Sequence, residues 1–485
     1  MSAGLASIGE RARDEGLDIG FVSMGFAPDL GGIETHLLQL AQEFTARGHR
    51  VHVLCLDSRR GRAPYSFEDQ LHGQVRVRRV AYAYHDHRAL ADLAVRAEAN
   101  DTVMAWLAEE PCDVVHVHHA SGFGAGMLQA IHEMGRPLLL TLHDYWMLCP
   151  RGQMLRNDGA VCASALAQTC AACLAATWPH LMPSERGEQR GPGGEALTSD
   201  EQAAAARTAH ALSMLNLPAR LFAPSAAARD VFERNGVPAG RIAVLPNGVE
   251  VEGLAAAVAA ARRATAPKDD RRRVAVLGSV QPSKGVLEFA RAALSLNDSR
   301  LVIEIHGALG DYHGDSSYGM RLRELATAHP QLELHGEYAH VDLARILARV
   351  DLVCVPSRWH EVFGLTAREA RAAGLPVFVS DRGGLADLRA DPGVRLLAAE
   401  DATAWRNALE QFMTEPAGQL VLGPAPKSAH ALALELESHY VELVRTQLGR
   451  EPRLLFQAGT DVPVSRLESE PPASKKGPWW RRMIR

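Results

Sequence analysis

The sequence predicts an α/β protein of two doubly wound domains that face each other across a cleft. Short apolar segments recur along the 485 residues with stretches of helical spacing between them, which is the pattern of βαβ units in parallel sheets. The alternation runs twice, with an alanine-rich and charged break between the two series. At roughly 100–200 residues per domain, the length accommodates both series. Ligands of such proteins bind at the carboxyl ends of the strands.

The first series opens with an apolar segment at 17–23, which we predict to be a strand. A loop at 28–32 contains two adjacent glycines, and apolar residues then recur at helical spacing from Ile33 to Phe44. The next strand is predicted at 51–56, so this segment forms a strand–turn–helix–strand unit. The same rhythm predicts further strands in this half at 113–118, 137–142, 221–224 and 242–246.

The second series follows the break, which is predicted to be a helical or flexible linker at 251–273. Its strands are predicted at 274–278, 301–306, 332–335, 352–356 and 376–380. The chain is therefore divided into an extension at 1–17, an N-terminal domain at 18–250, the linker, and a C-terminal domain at 274–429.

Three further segments are assigned from composition. The N-terminal domain carries a cysteine-containing insertion at 149–200, of which 184–200 is expected to be an exposed loop. A last helix is predicted at 430–448, and packing against the N-terminal domain is one arrangement open to it. The tail at 449–485, where the pattern fades, is expected to be disordered.

The charge balance excludes some classes of protein. Lys and Arg number 52 and Asp and Glu number 57, a formal charge of −5, which argues against a nucleic acid as partner. The sequence contains no run of 18 apolar residues, so a membrane-spanning helix is not expected. Because residues 1–18 carry several charges where a signal peptide needs an apolar core, the protein is expected to stay in the cytoplasm.

The stretch at 356–376 is the most informative one for function. Its pattern predicts a strand end, a loop with Glu361, a turn at Gly364 and a helix over 365–373. Gly364 and Leu365 would present backbone N–H groups at the helix N-terminus, which suits a phosphate or sugar hydroxyls. Glu369 follows on the helix. The alternative is that both glutamates are solvated surface charges.

This stretch resembles the glutamate-pair motif of the retaining glycosyltransferases of family 4, also described as glycosyl transferases group 1, in their bacterial form. Other matching pieces occur in the same order as in that family. They are GGIE at 31–34, GHRV at 48–51, DVVHVH at 113–118, TLHD at 141–144, APS at 223–225, LPNGV at 245–249 and SKG at 283–285. The resemblance covers about 18–448 and implies the GT-B fold, with two Rossmann-like domains around a cleft.

The resemblance also implies the reaction and its residues. A sugar passes from a nucleotide-sugar donor to a glycan or lipid-linked acceptor with retention of anomeric configuration, and catalysis requires no cofactor. Glu361 and His143 would be catalytic, and Glu369 would hold the donor ribose. The other donor-binding residues would be Gly31, Gly32, Lys284, Gly364, Leu365 and Asn247, and the acceptor-side residues would be His118 and Asp144.

One position departs from the family pattern. An arginine that usually shares the donor diphosphate with the lysine is replaced here by Ser279. Either Lys284 works with another cation, such as Arg358 or Arg382, or donor affinity is reduced. This departure keeps open the alternative of a non-catalytic protein that binds a nucleotide or a partner. The shared architecture leaves open a second alternative, an epimerase or phosphorylase.

Four of the seven cysteines, Cys149, Cys162, Cys170 and Cys173, lie within the predicted insertion. Four thiolates ending in a C-x-x-C pair are compatible with a structural zinc site. The alternative is a group of free thiols that are buried or redox-sensitive. A catalytic metal is not expected, because four thiolates leave no open coordination position.

The last eleven residues, 475–485, hold five basic residues, two tryptophans and no acidic residue. This composition suits peripheral contact with an anionic membrane at its inner face. The alternative is a solvated, disordered terminus.

Overall fold

A computed structural model describes residues 16–28, 31–57, 61–82, 87–186, 198–264, 270–416 and 420–450. Within these ranges the chain forms two parallel-type sheets covered by helices. The predicted fold class, α/β with two doubly wound Rossmann-like domains, is confirmed. Most of the predicted tail, including its membrane-contact segment at 475–485, and most of the N-terminal extension lie outside the described residues.

The N-terminal sheet has eight strands in the order β3-β4-β2-β1-β5-β6-β7-β8. Their bounds are β1 Asp18–Ser23, β2 Arg50–Asp57, β3 Phe67–His72, β4 Val75–Ala81, β5 Val114–Val117, β6 Leu138–Thr141, β7 Arg220–Ala223 and β8 Ile242–Val244. All neighbours are parallel except β3 and β4. Because β1 is buried on both faces, it reads in the sequence as a continuous apolar run.

The C-terminal sheet has six parallel strands in the order β11-β10-β9-β12-β13-β14. Their bounds are β9 Arg272–Leu277, β10 Leu301–His306, β11 Leu332–Gly336, β12 Leu352–Val355, β13 Val377–Ser380 and β14 Val394–Leu397. The order reverses at β9, whose neighbours are β10 and β12. Such a switch point leaves a crevice at the carboxyl ends of the strands, where open α/β sheets bind ligands.

Thirteen α-helices are described, most of them connecting strands. Their bounds are α1 Gly32–Ala46, α2 Ala97–Glu109, α3 Met127–Glu133, α4 Ala167–Thr177, α5 Ser199–Met214, α6 Ala226–Arg234, α7 Leu254–Ala264, α8 Val286–Leu294, α9 Ser317–Ala328, α10 Leu343–Arg349, α11 Leu365–Ala372, α12 Ala402–Thr414 and α13 Ala429–Leu448. In the described part of the chain, none is both long and apolar enough to cross a membrane.

The last helix, α13, packs in the core of the N-terminal domain, although it follows the C-terminal domain in sequence. Leu436 and Tyr440 of this helix share a buried apolar cluster with Phe21 of β1. The buried Glu437 accepts hydrogen bonds from Arg47 (Nε, 2.9 Å) and pairs with His49 at 3.0 Å. The chain therefore crosses between the domains twice, at 246–250 and at 427–429, where Val249 N–H donates to the Lys427 carbonyl at 2.9 Å.

Several local expectations differ from the structure. The loop predicted at 184–200 is wrong at its end, because α5 begins at Ser199 with Thr198 as its cap. Within the linker predicted at 251–273, α7 buries Leu254 and Val258 in the core of the C-terminal domain. The sequence reading also missed β3, β4 and β14. In β3 the burial pattern shows an exposed edge strand, which has no apolar run to reveal it.

Candidate functional site

The N-termini of two helices meet between the domains. A β-carbon built on Gly32, at the start of α1, would lie 3.5 Å from Leu365 Cδ1, at the start of α11. Both helices follow the carboxyl ends of strands in their own sheets, β1 and β12. Their positive dipole ends therefore point toward the same space, an arrangement that favours an anionic ligand.

The start of α1 is fixed by Glu34. Its carboxylate accepts the Gly31 N–H at 3.0 Å. A β-carbon on Gly25 would lie 2.7 Å from the same carboxylate, and one on Gly31 would lie equally close. A side chain at either position would therefore displace the Glu34 carboxylate from its place at the start of α1. Gly31 and Gly32 are exposed, but the Gly31 N–H is already used by Glu34.

The start of α11 depends on glycines in two segments. Gly364 caps the helix with φ 81°, and a β-carbon there would lie 2.5 Å from Leu385 Cδ2. Gly384 N–H donates to the Glu361 carbonyl at 2.6 Å, and any side chain on Gly383 would clash with that carbonyl. The two glycines after β13 thus hold the backbone of the loop that carries Glu361.

The buried Glu361 forms an ion pair with the half-buried Lys284. The Lys284 Nζ lies 2.8 Å from Glu361 Oε2 and 3.1 Å from Oε1. Ser357 Oγ also donates to Oε2, at 2.8 Å. Burial acts to raise the pKa of Glu361, but Lys284 and the hydrogen-bond donors outweigh it and hold the pKa below the ordinary value. The carboxylate is therefore ionised and saturated with donors.

Trp359 completes this arrangement, and the sequence reading did not single it out. Its Nε1–H donates to Glu361 Oε2 at 3.0 Å, and the Lys284 ammonium lies 5.3 Å from its ring centroid. Tyr145 of the N-terminal domain packs edge-on against the same ring, with centroids 6.1 Å apart. The sequence did contain a signal for Trp359, namely its position two residues before Glu361. An indole combines an N–H donor with an apolar ring, so a tryptophan at this position can bond a nearby carboxylate.

Glu369 lies in a different environment. Its side chain is 13% exposed, and the nearest ionisable partner is His340, whose Nδ1 lies 3.8 Å from Oε1. From the described residues, no hydrogen bond reaches this carboxylate. Burial raises the pKa of Glu369 to about 7. A buried carboxylate without donors is expensive, so the position is suited to a ligand that supplies hydroxyl donors.

The cations suggested as substitutes for the arginine that Ser279 replaces have other partners. Arg382 pairs with Glu400 through Nη2 at 2.8 Å and also donates to the Arg358 carbonyl. Arg358 pairs with Glu288 at 3.4 Å and donates to the carbonyl of Gly159 in the N-terminal domain at 3.2 Å. In this structure neither guanidinium joins the Lys284–Glu361 pair.

Histidines line the corresponding edge of the N-terminal sheet. His118 follows β5 and His143 follows β6, and their Nδ1 and Nε2 atoms lie 3.0 Å apart. Burial, followed by the neighbouring histidines, holds both pKa values well below the ordinary one. Burial also lowers the pKa of His36, on α1, to about 4. These imidazoles are neutral at pH 7, unlike the charged groups across the cleft.

His119 and Asp144 form a separate pair on that edge. The His119 Nε2 lies 2.8 Å from Asp144 Oδ2. Burial acts to lower the pKa of His119, but the Asp144 carboxylate outweighs it, and the pKa is raised. Asp144 also accepts the Trp146 N–H at 2.9 Å, which anchors the segment after β6. The two predicted acceptor-side residues, His118 and Asp144, thus have different partners.

Asn247 lies in the first crossover between the domains and is buried. The next residue, Gly248, has no room for a side chain, since a β-carbon would lie 2.5 Å from Ala429 Cα. The predicted donor-binding residue is therefore positioned where the two crossing segments touch.

The cysteine-containing insertion contacts the C-terminal domain. Tyr312 Oη donates to Gln153 Oε1 at 2.5 Å, and Trp178 packs edge-on against His313 with centroids 5.3 Å apart. Arg151 lies 5.4 Å from the Tyr312 ring centroid. The insertion therefore helps to hold the two domains together beside the cleft.

The structural zinc site that the sequence suggested at the four cysteines stays a prediction. Cys149, Cys162, Cys170 and Cys173 are free thiols. Among the described residues, no three of these sulfurs fall within 4.8 Å of one another, as ligands of one ion would. Burial and the neighbouring thiols raise the pKa of Cys162 to about 11 and that of Cys170 to about 12. These values describe protonated, unreactive thiols.

Two protein-family models match the chain, one for each domain. "Glycosyltransferase Family 4" matches residues 30–178, and "Glycosyl transferases group 1" matches residues 258–428. The first begins next to the Gly31–Gly32 turn and the second contains Lys284 and both glutamates.

Curated relatives include the D-inositol 3-phosphate glycosyltransferases of Mycobacterium bovis and Mycobacterium tuberculosis. They are 28% identical over 322 residues, which is 64% of this chain and 62% of the relative. The chain thus matches less than two thirds of the length of these relatives.

Solved structures share the fold at low sequence identity. Sucrose-phosphate synthase from Thermosynechococcus elongatus has a TM-score of 0.59 at 17% identity, covering 89% of this chain and 97% of that one. Anabaena Alr3699/HepE in complex with UDP and glucose has a TM-score of 0.54 at 18% identity, covering 89% and 98%.

Proposed function

We propose a sugar-transfer reaction for this chain, which belongs to family 4 of the glycosyltransferases and has the GT-B fold. In the proposed reaction, a nucleoside diphosphate sugar donates its sugar to a hydroxyl of a glycan or lipid-linked acceptor. The observation that carries the proposal is the Lys284–Glu361 pair at the start of α11, facing the start of α1.

The donor would occupy the C-terminal side of the cleft. We assign the diphosphate to Lys284 and to the converging helix N-termini, because both supply positive charge where the leaving group gathers negative charge. The ribose hydroxyls are assigned to Glu369, whose buried carboxylate has no donor of its own among the described residues. A UDP complex of HepE supports a nucleotide donor.

The proposed chemistry proceeds on one face of the sugar. The bond from the anomeric carbon to the donor phosphate oxygen breaks, and a bond to the acceptor oxygen forms. The acceptor proton passes to the leaving diphosphate. Retention by this route needs no protein nucleophile, and Glu361 is badly suited to be one, since its carboxylate is saturated by Lys284, Ser357 and Trp359. A retaining glycosidase instead keeps a free carboxylate roughly 5–5.5 Å from its acid.

His143 is assigned to the donor sugar on the opposite wall. As a neutral imidazole it donates or accepts a hydrogen bond without adding charge beside the developing oxocarbenium ion. The neutral state is set first by burial and then by the neighbouring histidines, so the role follows from the fold of the N-terminal domain.

The test is a transfer and hydrolysis assay with UDP-, GDP- and ADP-sugars. We expect turnover of one donor class by the unmodified chain and its loss in Glu361→Ala and Glu361→Gln. Glu410→Ala, which removes a surface glutamate paired with Arg406 on α12, serves as control and should keep full activity. Unchanged transfer by Glu361→Gln would contradict the assignment. Circular dichroism checks that each variant is folded.

The main alternative is a non-catalytic protein that binds a nucleotide. Ser279 favours it, because the chain lacks the second cation that usually shares the diphosphate, and neither Arg358 nor Arg382 replaces it here. Nucleotide binding by calorimetry without turnover of any donor would support this alternative. Turnover of any donor with release of the nucleotide excludes it.

Membrane contact and a role in polysaccharide biosynthesis are proposed from the sequence. The basic, aromatic segment at 475–485 would bring the chain to the inner face of the membrane, where lipid-linked acceptors occur. Co-sedimentation with anionic liposomes should retain the full chain and release a version ending at residue 470. Equal retention of both would remove the membrane contact.

A further inference from the structure

Three buried histidines converge at the carboxyl edge of the N-terminal sheet. One ring nitrogen from each of His36, His118 and His143 lies within 4.8 Å of the other two. The rings come from separate elements, namely α1, the segment after β5 and the segment after β6. All three side chains are buried, with residue exposures of 3%, 1% and 7%.

A second observation comes from His118. Its Nε2 is buried and has no hydrogen-bond partner in the part of the chain that the structure describes. Leaving such a polar atom unsatisfied costs about 1–3 kcal/mol. An orphaned atom of this kind in a native fold requires an explanation, and a bound water or ion is one that would satisfy it.

The spacing on the other side of the His118 ring is close to that of two metal ligands. His118 Nδ1 and His143 Nε2 lie 3.0 Å apart and form a hydrogen bond in the structure. Two ligands held at 2.0–2.1 Å in tetrahedral geometry are separated by about 3.3 Å. A small movement of either ring therefore brings the pair to ligand spacing. No carboxylate belongs to the group, so its chemistry suits a borderline metal rather than a hard cation.

We propose that His36, His118 and His143 form a binding site for a divalent transition metal of the Zn²⁺ or Co²⁺ class. Three imidazoles leave one position of a tetrahedral ion open to solvent or ligand. The site goes beyond the proposed sugar transfer, which uses no metal. Because it would engage His143, an ion bound there competes with the role assigned to that residue.

A second cluster of possible metal ligands has neighbouring cations that make it unsuitable for a metal ion. Glu304, His306 and His335 also have ligand atoms within 4.8 Å of one another. However, Glu304 already pairs with Arg273 at 3.0 Å and with Arg349 at 3.4 Å. Two guanidinium groups repel a cation and occupy the carboxylate, so this group is an ion-pair network. The three-histidine group has no competing cation of that kind in its hydrogen-bond pairs.

Cobalt titration of the chelator-treated, full-length protein, without nucleotide, tests the proposal. We expect visible d–d absorption that saturates at one Co²⁺ per chain, without the thiolate-to-cobalt charge-transfer band that the four cysteines would give. His36→Gln should lose this spectrum. His132→Gln, which changes an exposed histidine on α3, should keep it. Cobalt should also raise the unfolding temperature of the unmodified chain but not that of His36→Gln.

Absence of cobalt binding by the unmodified chain would overturn the proposal. Binding that persists in a folded His36→Gln variant, or a spectrum dominated by thiolate, would do the same. Since the titration contains no donor and measures no turnover, its result is independent of whether sugar transfer occurs.

Discussion

The two walls of the cleft have the same architecture but differ in the ionisation of their side chains. Each wall is the carboxyl edge of a doubly wound sheet followed by a helix N-terminus. In the C-terminal wall a lysine and a glutamate are paired and ionised, with hydrogen bonds at 2.8–3.1 Å. In the N-terminal wall, burial keeps His36, His118 and His143 neutral at pH 7.

The difference shows how two domains of the same fold can provide different environments for the two substrates of one proposed reaction. A charged wall suits a diphosphate whose charge grows during transfer, and a neutral polar wall suits a sugar and its acceptor. Burial is similar in the two walls, so burial alone does not decide the charge. The partners do: Glu361 has the Lys284 cation beside it, whereas the charged groups that influence the pKa values of His118 and His143 are other histidines. Removing single partners therefore tests the contrast.

The largest effect is expected from Lys284→Ala, which removes the cation of the C-terminal wall. Transfer should fall by about a hundred- to a thousand-fold, as for loss of one oxyanion-stabilising group. Burial of Glu361 then acts without the lysine, so the pKa of Glu361 should rise. Kinetics with the identified donor measure the first effect, and the acid limb of the pH–rate profile measures the second. Lys427→Ala, which removes a lysine paired with Glu435, is the control, and an equal loss in both variants would contradict the prediction.

Glu369→Gln should raise stability while weakening nucleotide binding. Because the folded pKa of about 7 exceeds the ordinary 4.5, the proton on Glu369 stabilises the folded chain fully below about pH 4.5. That stabilisation is lost as the pH rises through about 7. At pH 8 the free energy of unfolding of the variant should therefore be about 1–3 kcal/mol higher than that of the unmodified chain. At pH 4.5 the two free energies of unfolding should be equal.

Denaturant unfolding at the two pH values, with calorimetry of nucleotide binding, measures both effects of Glu369→Gln. Glu442→Gln, at an exposed glutamate on α13, should show no such pH-dependent gain. The opposite result would be a variant whose stability relative to the unmodified chain is lower at pH 8 than at pH 4.5. It would show that Glu369 has a charge partner in solution.

Trp359→Phe should reduce kcat about tenfold, because it removes one hydrogen bond to a charged group, a loss of about 1.5 kcal/mol. The ring that faces Lys284 and Tyr145 remains. Since a donor to Glu361 is lost, the acid limb of the pH–rate profile should shift upward, which a purely structural role would not cause. Trp405→Phe removes an indole hydrogen bond to the Ala398 carbonyl in the same domain and should leave that profile unchanged.

The smallest effect is expected from Asp144→Asn on the N-terminal wall. The Asp144 carboxylate raises the pKa of His119 against the effect of burial. Without it, the effect of burial is opposed only by Glu34, so the pKa of His119 should fall. Imidazole titration by NMR measures the shift, with Asp158→Asn, at an exposed aspartate, as control. An unchanged His119 pKa would mean that Glu34 supplies the charge instead.

The sequence predicted the parts of this protein that depend on local pattern. Parallel strands that are buried on both faces read as apolar runs, so β1, β5, β6, β9, β10 and β13 were predicted within one or two residues. The exposed edge strand β3 has no such run and was missed. The Glu361 loop, the Gly364 turn and α11 were predicted because glycine and helix signals occur next to each other in the chain.

The tertiary structure decided which of these groups meet. Lys284 and Glu361 are 77 residues apart, and Trp359 acquires its role only because Lys284 and Tyr145 lie against its ring. The return of α13 to the N-terminal domain likewise depends on packing. Sequence spacing reports backbone conformation and periodic burial. The ionisation of a side chain depends on neighbours from distant segments, because electrostatic energy is set by distance in space and by exclusion of water.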